Sequence, residues 1–212
     1  MSSIAEIIRI CLFLPVAAVM VSCANIQKRE YIVSEKFSQV AESSVAVLPF
    51  DNESADLDAE KYMRDEVVKN LARRGYSPMT TEAVDEKLKE LGISDGGQLP
   101  AFKPEQIAEK LSCRILIYGY IENYIFQNLG FIVRKKAELS IKAVDGLDGT
   151  LLYNGFGSGD DSKFYANKKE AEAAFLMNTG VKLISNVSNK NLLMGEAVKK
   201  SVKKALERFP RK

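Results

Sequence analysis

The sequence predicts an α/β fold: a mixed β-sheet with flanking helices that opens β-α-β-α, continues as an antiparallel meander and closes with C-terminal helices. Three observations carry this. A β-branched apolar run, Val45-Ala46-Val47-Leu48-Pro49-Phe50, is followed closely by a stretch of helical periodicity. Residues 131–144 alternate in part between apolar and polar side chains at period two, with further extended segments on either side. The last third of the chain is helical and ends in a continuous apolar stripe.

Taken in order, the run from Val45 reads as a buried strand stopped by Pro49, which has no N–H to give to a ladder. Asp51-Asn52-Glu53-Ser54 makes a loop. From Asp58 to Arg73, Tyr62, Met63, Val67, Val68 and Leu71 recur at helical spacing, and Gly75 supplies a cap beyond the end. A short strand is expected over Tyr76 to Met79, then a helix from Thr81 to Leu91, opened by threonine and closed by Gly92. Ser94 to Lys103, rich in glycine and proline, reads as a loop, and Pro104 suits the first turn of a helix to about Leu111.

Three extended segments follow, Arg114 to Gln127, Phe131 to Val144 and Thr150 to Gly157. In the second, Ala137, Leu139, Ile141 and Ala143 share one face and Lys136, Glu138, Ser140 and Lys142 the other, as in a half-exposed strand. Asp145-Gly146-Leu147-Asp148-Gly149 tolerates positive φ and predicts a hairpin. Helices are expected from Lys168 to the low-propensity stretch Ser185 to Asn191, and from Leu192 to Phe209. On the last, Val198, Val202, Ala205, Leu206 and Phe209 form a stripe to pack on the sheet.

A chain of 212 residues supports one ordinary domain. Its 46% hydrophobic and 27% charged residues fit a globular protein, not a polytopic membrane protein or a disordered tail. Thirty basic against 28 acidic residues leave a formal charge of +2, so no global field draws it to nucleic acid. There is no histidine, which removes the commonest general base and the commonest metal ligand. The cysteines are Cys11, Cys23 and Cys113, and Cys113 reads as a small buried apolar side chain.

The N-terminus sets the compartment. Ile10 to Val21 is an apolar run too short for a comfortable membrane span, preceded by Arg9 and closed by Met20-Val21-Ser22-Cys23. That tetrapeptide resembles a bacterial lipobox: apolar, small or branched, small, then cysteine. The small Ser22 leaves a signal peptidase room at the bond before the lipid-modified cysteine. The resemblance implies that residues 1–22 are a lipoprotein signal peptide and that Cys23 is the acylated (palmitate-type) mature N-terminus. Ala24, where an inner-membrane aspartate would otherwise stand, points to the periplasmic face of the outer membrane. Residues 23–43 then read as the lipidated cysteine and a polar tether of about 25 Å typical span, and residues 44–212 as one periplasmic domain.

Candidate chemistry is thin. Gly155-Phe156-Gly157-Ser158-Gly159 has the glycines of a phosphate cradle, but Asp160 and Asp161 follow where a lysine is needed, so it reads as a strand exit or partner loop. Asp145, Asp148, Asp160 and Asp161 lack calcium-loop spacing. Asp51 and Glu53 have no nucleophile to serve, and Ser158 has no histidine to activate it. Lys199, Lys200, Lys203, Lys204 and Arg208 make a basic surface on the last helix that reads as solvated. No catalytic, cofactor-binding or metal-ligating residue is assigned, and no cofactor is expected. Ser94 to Lys103 and the aromatics Tyr118, Tyr120, Tyr124 and Phe126 are the segments best placed for an interface, alternate aromatics packing in the core.

Finally, Val45-Ala46-Val47-Leu48-Pro49-Phe50-Asp51-Asn52, Arg74-Gly75-Tyr76, Val84-Asp85-Glu86 through Leu91-Gly92, and Ile117-Tyr118-Gly119-Tyr120-Ile121 occur in an order that resembles a known family. It is the neisserial-type lipoprotein family of unknown function, whose domain is similar to the N-terminal domain of TolB and, more loosely, to CsgG-type envelope lipoproteins. The resemblance spans residues 44–159. It implies a non-enzymatic role in an envelope transport, secretion or assembly machine, with an envelope protein as partner and self-association into homo-oligomers. A binding module for an envelope glycan or lipid is the alternative.

Overall fold

The computed structural model describes residues 31–184 and 190–212, and the side chains of these except 178–193. The elements are β1 (Ile32–Val33), α1 (Phe37–Val40), β2 (Val45–Val47), β3 (Asp51–Asn52), α2 (Ala59–Arg73), α3 (Thr81–Lys89), a 3-10 helix (Gly96–Ala101) and α4 (Pro104–Leu111). They continue with β4 (Ile115–Asn128), β5 (Ile132–Asp145), β6 (Leu151–Asp160), β7 (Lys163–Phe164), α5 (Lys168–Ile184) and α6 (Lys190–Ala205).

One mixed sheet runs in the order β1-β6-β5-β4-β2. β2 lies parallel to β4 in the register Val45↔Ile115, and β3 continues beside it at Asp51↔Tyr120. The β4-β5-β6 meander and β1 are antiparallel. The α/β class, the mixed sheet with flanking helices, the meander and the closing helices are as the sequence predicts. Ala137, Leu139, Ile141 and Ala143 are all fully buried, and so are Val202 and Ala205 on α6 and Leu206 just beyond it.

Two cores flank the sheet. On the inner face α1, α2 and α6 pack against Val45, Val47, Ile115, Ile117, Leu139 and Ile141. On the outer face α3, the 3-10 helix and α4 pack against Ala46, Leu48 and Leu116. Strand alternation explains the split, since odd and even residues of β2 and of the first half of β4 point to opposite sides. The outer helices stop at β4, leaving the outer side chains of β5 and β6 half-exposed or exposed.

α6 reaches the sheet through a row of glycines. A Cβ on Gly155, Gly157 or Gly159 would lie 2.2, 1.8 or 1.9 Å from the carbonyl oxygens of Ala205, Ser201 and Ala197 respectively. Strand period two and helix spacing four run in step here, so three bare strand positions receive three successive turns of helix. Tyr153 Oη donates to Ala205 O at 2.6 Å and Ser201 Oγ to Gly157 O at 2.9 Å, tying the surfaces together. This glycine run is therefore strand interior, not the expected strand exit or partner loop.

Other differences have local causes. Residues 31–43, expected as tether, fold onto the domain: Phe37 and Val40 are buried, and Tyr31 Oη donates to Phe156 O at 3.0 Å. Phe37 meets Phe209 edge-on at 5.0 Å, and Tyr76 and Tyr153 surround the same ring. Phe209 lies far along the chain, so the apolar Phe37 and Val40 carried too little local pattern to read as structure. The domain expected from residue 44 begins by residue 31 among the described residues. Tyr76 to Met79 gives a single bridge, Val45↔Pro78, because Pro78 has no N–H with which to extend a ladder. The expected loop 94–103 contains the 3-10 helix, capped by Asp95 and by Gln98 reaching back to the Asp95 N–H.

Candidate functional site

The uncovered half of the outer face holds a groove of about 460 Å³. Its floor is sheet: Tyr118, Gly119 and Tyr120 of β4, Ser140, Lys142 and Val144 of β5, and Asn154 of β6. Leu99 and Pro100 of the 3-10 helix make one wall, with Asp51 of β3 at its end. The 3-10 helix sits this close because Gly96 carries no side chain; a Cβ there would lie 2.3 Å from Phe50 C and Asp51 N. Behind the groove, Gly119 leaves room for the Phe50 ring on the inner face, where a Cβ would come within 2.4 Å.

Both tyrosines stay protonated. Tyr118 is pushed up to about 12 by burial, with Glu105 adding to the effect. Tyr120 is pushed up to about 12 chiefly by its hydrogen bond to Glu53, with Asp51 and Glu122 nearby. Neutral phenols offer apolar rings and a donor, and they do not act as nucleophiles at neutral pH. Ser140 Oγ donates to Glu122 Oε1 at 2.8 Å, and Lys142 brings a positive charge to the rim. Apolar rings and short aliphatic walls, with a few polar groups at the edges, suit binding better than bond-breaking chemistry.

A second depression, at the end of β2, is polar. Buried Arg64 donates from Nε and Nη2 to Val47 O at 3.2 and 3.0 Å and pairs with Asp85 at 2.7 Å. Glu60 accepts from Phe50 N at 3.2 Å, and burial pushes its carboxyl up despite Arg64 beside it. These groups pair with one another and close the end of the sheet.

The two segments expected to serve an interface converge here in part. The 94–103 stretch and Tyr118 and Tyr120 line the groove, while Tyr124 and Phe126 do not. A β-bulge between Ile121 and Asn123 shifts the register by one, turning Tyr124 and Phe126 to the inner face although all four aromatics are even-numbered. Phe126 there stacks on Phe175 of α5 at 5.0 Å. Lys142, Asn154 and Asp51 were missed as groove residues because topology alone brings their strands beside β4; the polar side of the 136–142 alternation was the one available signal.

The remaining candidates are accounted for locally. Cys113 is buried and free. Asp145 pairs with Lys36 at 2.8 Å and with Arg114 at 3.2 Å, Asp148 pairs with Lys36, and Asp161 with Lys200. On the last helix Lys199 pairs with Glu196. Among the described residues no group of three or more acidic or cysteine side chains is placed to hold a metal. No described helix is long and apolar enough to cross a membrane. Cys23 lies outside the described residues.

Comparison with known proteins gives one family and several similar structures. Residues 34–206 match the profile of the family described as "Putative lipoprotein GNA1162-like". No curated protein matches. Among solved structures, lipoprotein GNA1162 from Neisseria meningitidis is similar at 22% identity over 68% of this chain and 99% of that one, with a TM-score of 0.54. The PelC dodecamer from Paraburkholderia phytofirmans aligns at 10% identity over 80% and 89%, with a TM-score of 0.47. The LpoB C-terminal domain from Salmonella enterica aligns at 15% over 55% and 81%, with a TM-score of 0.40.

Proposed function

The chain belongs to the GNA1162-like lipoprotein family, and from that premise we propose that it is a lipid-anchored envelope protein acting as a non-enzymatic protein-interaction module. In this reading residues 1–22 are removed, Cys23 carries the acyl chains, and the domain stands on the periplasmic face of the outer membrane. It serves an envelope transport, secretion or assembly system as an accessory component, with an envelope protein as its partner.

The groove carries the reading. Tyr118, Tyr120 and Pro100 present apolar and aromatic surface where the outer helices give way to the open part of the sheet, and aromatic side chains in such positions dominate binding energy at interfaces. Its protonated phenols and hydrogen-bonded serine support recognition.

A photo-reactive amino acid at position 120, activated in cells and followed by mass spectrometry, tests the proposal. An envelope protein joined at that position is the expected product. A glycan or lipid adduct in its place would transfer the groove to the alternative reading, a ligand-binding module. Lipidation is tested separately: Cys23→Ser is expected to abolish acyl labelling and leave uncleaved precursor, and a mature soluble product from that variant would overturn it.

A further inference from the structure

The end of the domain formed by the β4–β5 turn carries an apolar cluster. Leu129 and Phe131 project from the turn, Phe164 from β7, and Leu176 and Met177 from α5, with Phe164 and Met177 79% and 73% exposed. The turn, β7 and the start of α5 belong to one structure: Tyr165 N donates to Phe131 O at 2.8 Å, Phe164 pairs with Ile132, and Lys168 Nζ lies 5.5 Å over the Phe131 ring, while Leu176 and Met177 follow about two turns further along α5. Large apolar side chains gathered this way mark a surface that meets something other than water.

The chain's own course indicates what it meets. β1 runs antiparallel to β6, with Val33 beside Tyr153 and Ile32 beside Asn154, so moving back towards the N-terminus leads towards Asp160 and the β4–β5 turn. Tyr31, held to Phe156 O and Lys204 O, fixes that direction. From the level of Tyr31 to that of Ile132 is about 30 Å at strand rise, and the eight residues from Cys23 to Tyr31 reach at most about 28 Å. The short reach and the apolar cluster thus point to the same end. Lys163, Lys168 and Lys169 stand among Glu170 and Glu172, so a small ionic attraction adds to the apolar one.

We infer that the β4–β5 turn, β7 and the first half of α5 form a membrane-docking surface that rests in the lipid headgroup region. The inference depends on the anchor at Cys23 proposed above. It gives the domain a fixed orientation, with the cluster in the bilayer interface and the β5–β6 turn away from it. Apolar side chains at the headgroup boundary are the usual means by which peripheral domains hold an orientation.

The chain has no tryptophan, so Phe131→Trp and Phe164→Trp each install a single reporter, and Leu147→Trp in the β5–β6 turn is the control. Each full-length variant is extracted from bacterial membranes and reconstituted in phosphatidylethanolamine and phosphatidylglycerol vesicles, with or without bromine on the acyl chains. Emission from positions 131 and 164 is expected to shift to the blue and be quenched by brominated lipid, while position 147 does neither. Unquenched emission at 164, or equal quenching at 147, overturns the inference. So does a blue shift that grows with protein density and ignores bromine, which identifies a second copy as the occupant. The mass of the N-terminal peptide from the same sample reports acylation of Cys23 independently.

Discussion

Gly157 and Ser201 meet with no side chain between them: the serine hydroxyl donates to the glycine carbonyl at 2.9 Å, and a Cβ on the glycine would fall 1.8 Å from the serine carbonyl oxygen. Backbone on both sides leaves nothing flexible to move aside. Gly157→Ala is therefore expected to cost about 3 kcal/mol or more, as forced overpacking does, read as a lowered midpoint of thermal unfolding. Gly195, on the same helix, gives the contrast, since a Cβ there would meet nothing within 4 Å. Gly195→Ala should raise stability by about 0.5–1 kcal/mol through helix propensity. Equal midpoints for the two variants would contradict this packing.

The N-terminal segment is a structural part of the domain. Phe37→Ala removes a fully buried ring from contact with Phe209 and is expected to cost about 3–5 kcal/mol, measured by urea denaturation. Were residues 31–43 a tether, the same change would leave the midpoint where it was.

Acid should loosen this segment first. Burial opposes ionisation of Asp145, but the bonds from Arg114 and Lys36 and the Leu147 N–H outweigh it and hold the carboxyl below its ordinary value. Lys36 and Thr150 hold Asp148 down to about 2. A carboxyl depressed in the folded state contributes stability above its unfolded value near 4, and that contribution is lost as pH falls through the folded value. Urea midpoints should fall between about pH 4 and pH 2, and Lys36→Met should flatten that dependence.

Tyr124 buries its hydroxyl on the inner face with no hydrogen-bond partner among the described residues, and burial pushes the phenol upward. Tyr124→Phe removes an unsatisfied polar atom while keeping the ring. A gain of about 1 kcal/mol is expected, and a loss in calorimetry would show that the hydroxyl has a partner.

The sequence made legible those elements whose pattern is local. Ala137, Leu139, Ile141 and Ala143 announce a half-buried strand by themselves, and so does the α6 stripe from Val198 to Phe209. Features created by meetings between distant segments were hidden. The glycines at 155, 157 and 159 looked like a loop because the helix that requires them lies some forty residues away. Tyr124 and Phe126 share parity with Tyr118 and Tyr120, and only the bulge at Ile121/Asn123 separates them. For the candidate groove, the aromatic strand and the 94–103 segment were both visible as interface material. Lys142 and Asn154 were not, since nothing near them in the chain places them beside Tyr120.

Phe209 sets an order of events. Its ring is the common neighbour of Phe37, Tyr76 and Tyr153, and just beyond it Lys212 N donates to Arg74 O at 3.0 Å. Phe37 therefore cannot take its place in the core until Phe209, about 170 residues further along the chain, is present to receive it. Contacts so far apart in sequence make for slow closure. Docking of the N-terminal segment onto the C-terminal end of the chain is therefore a late event in folding, after the sheet it closes over has formed.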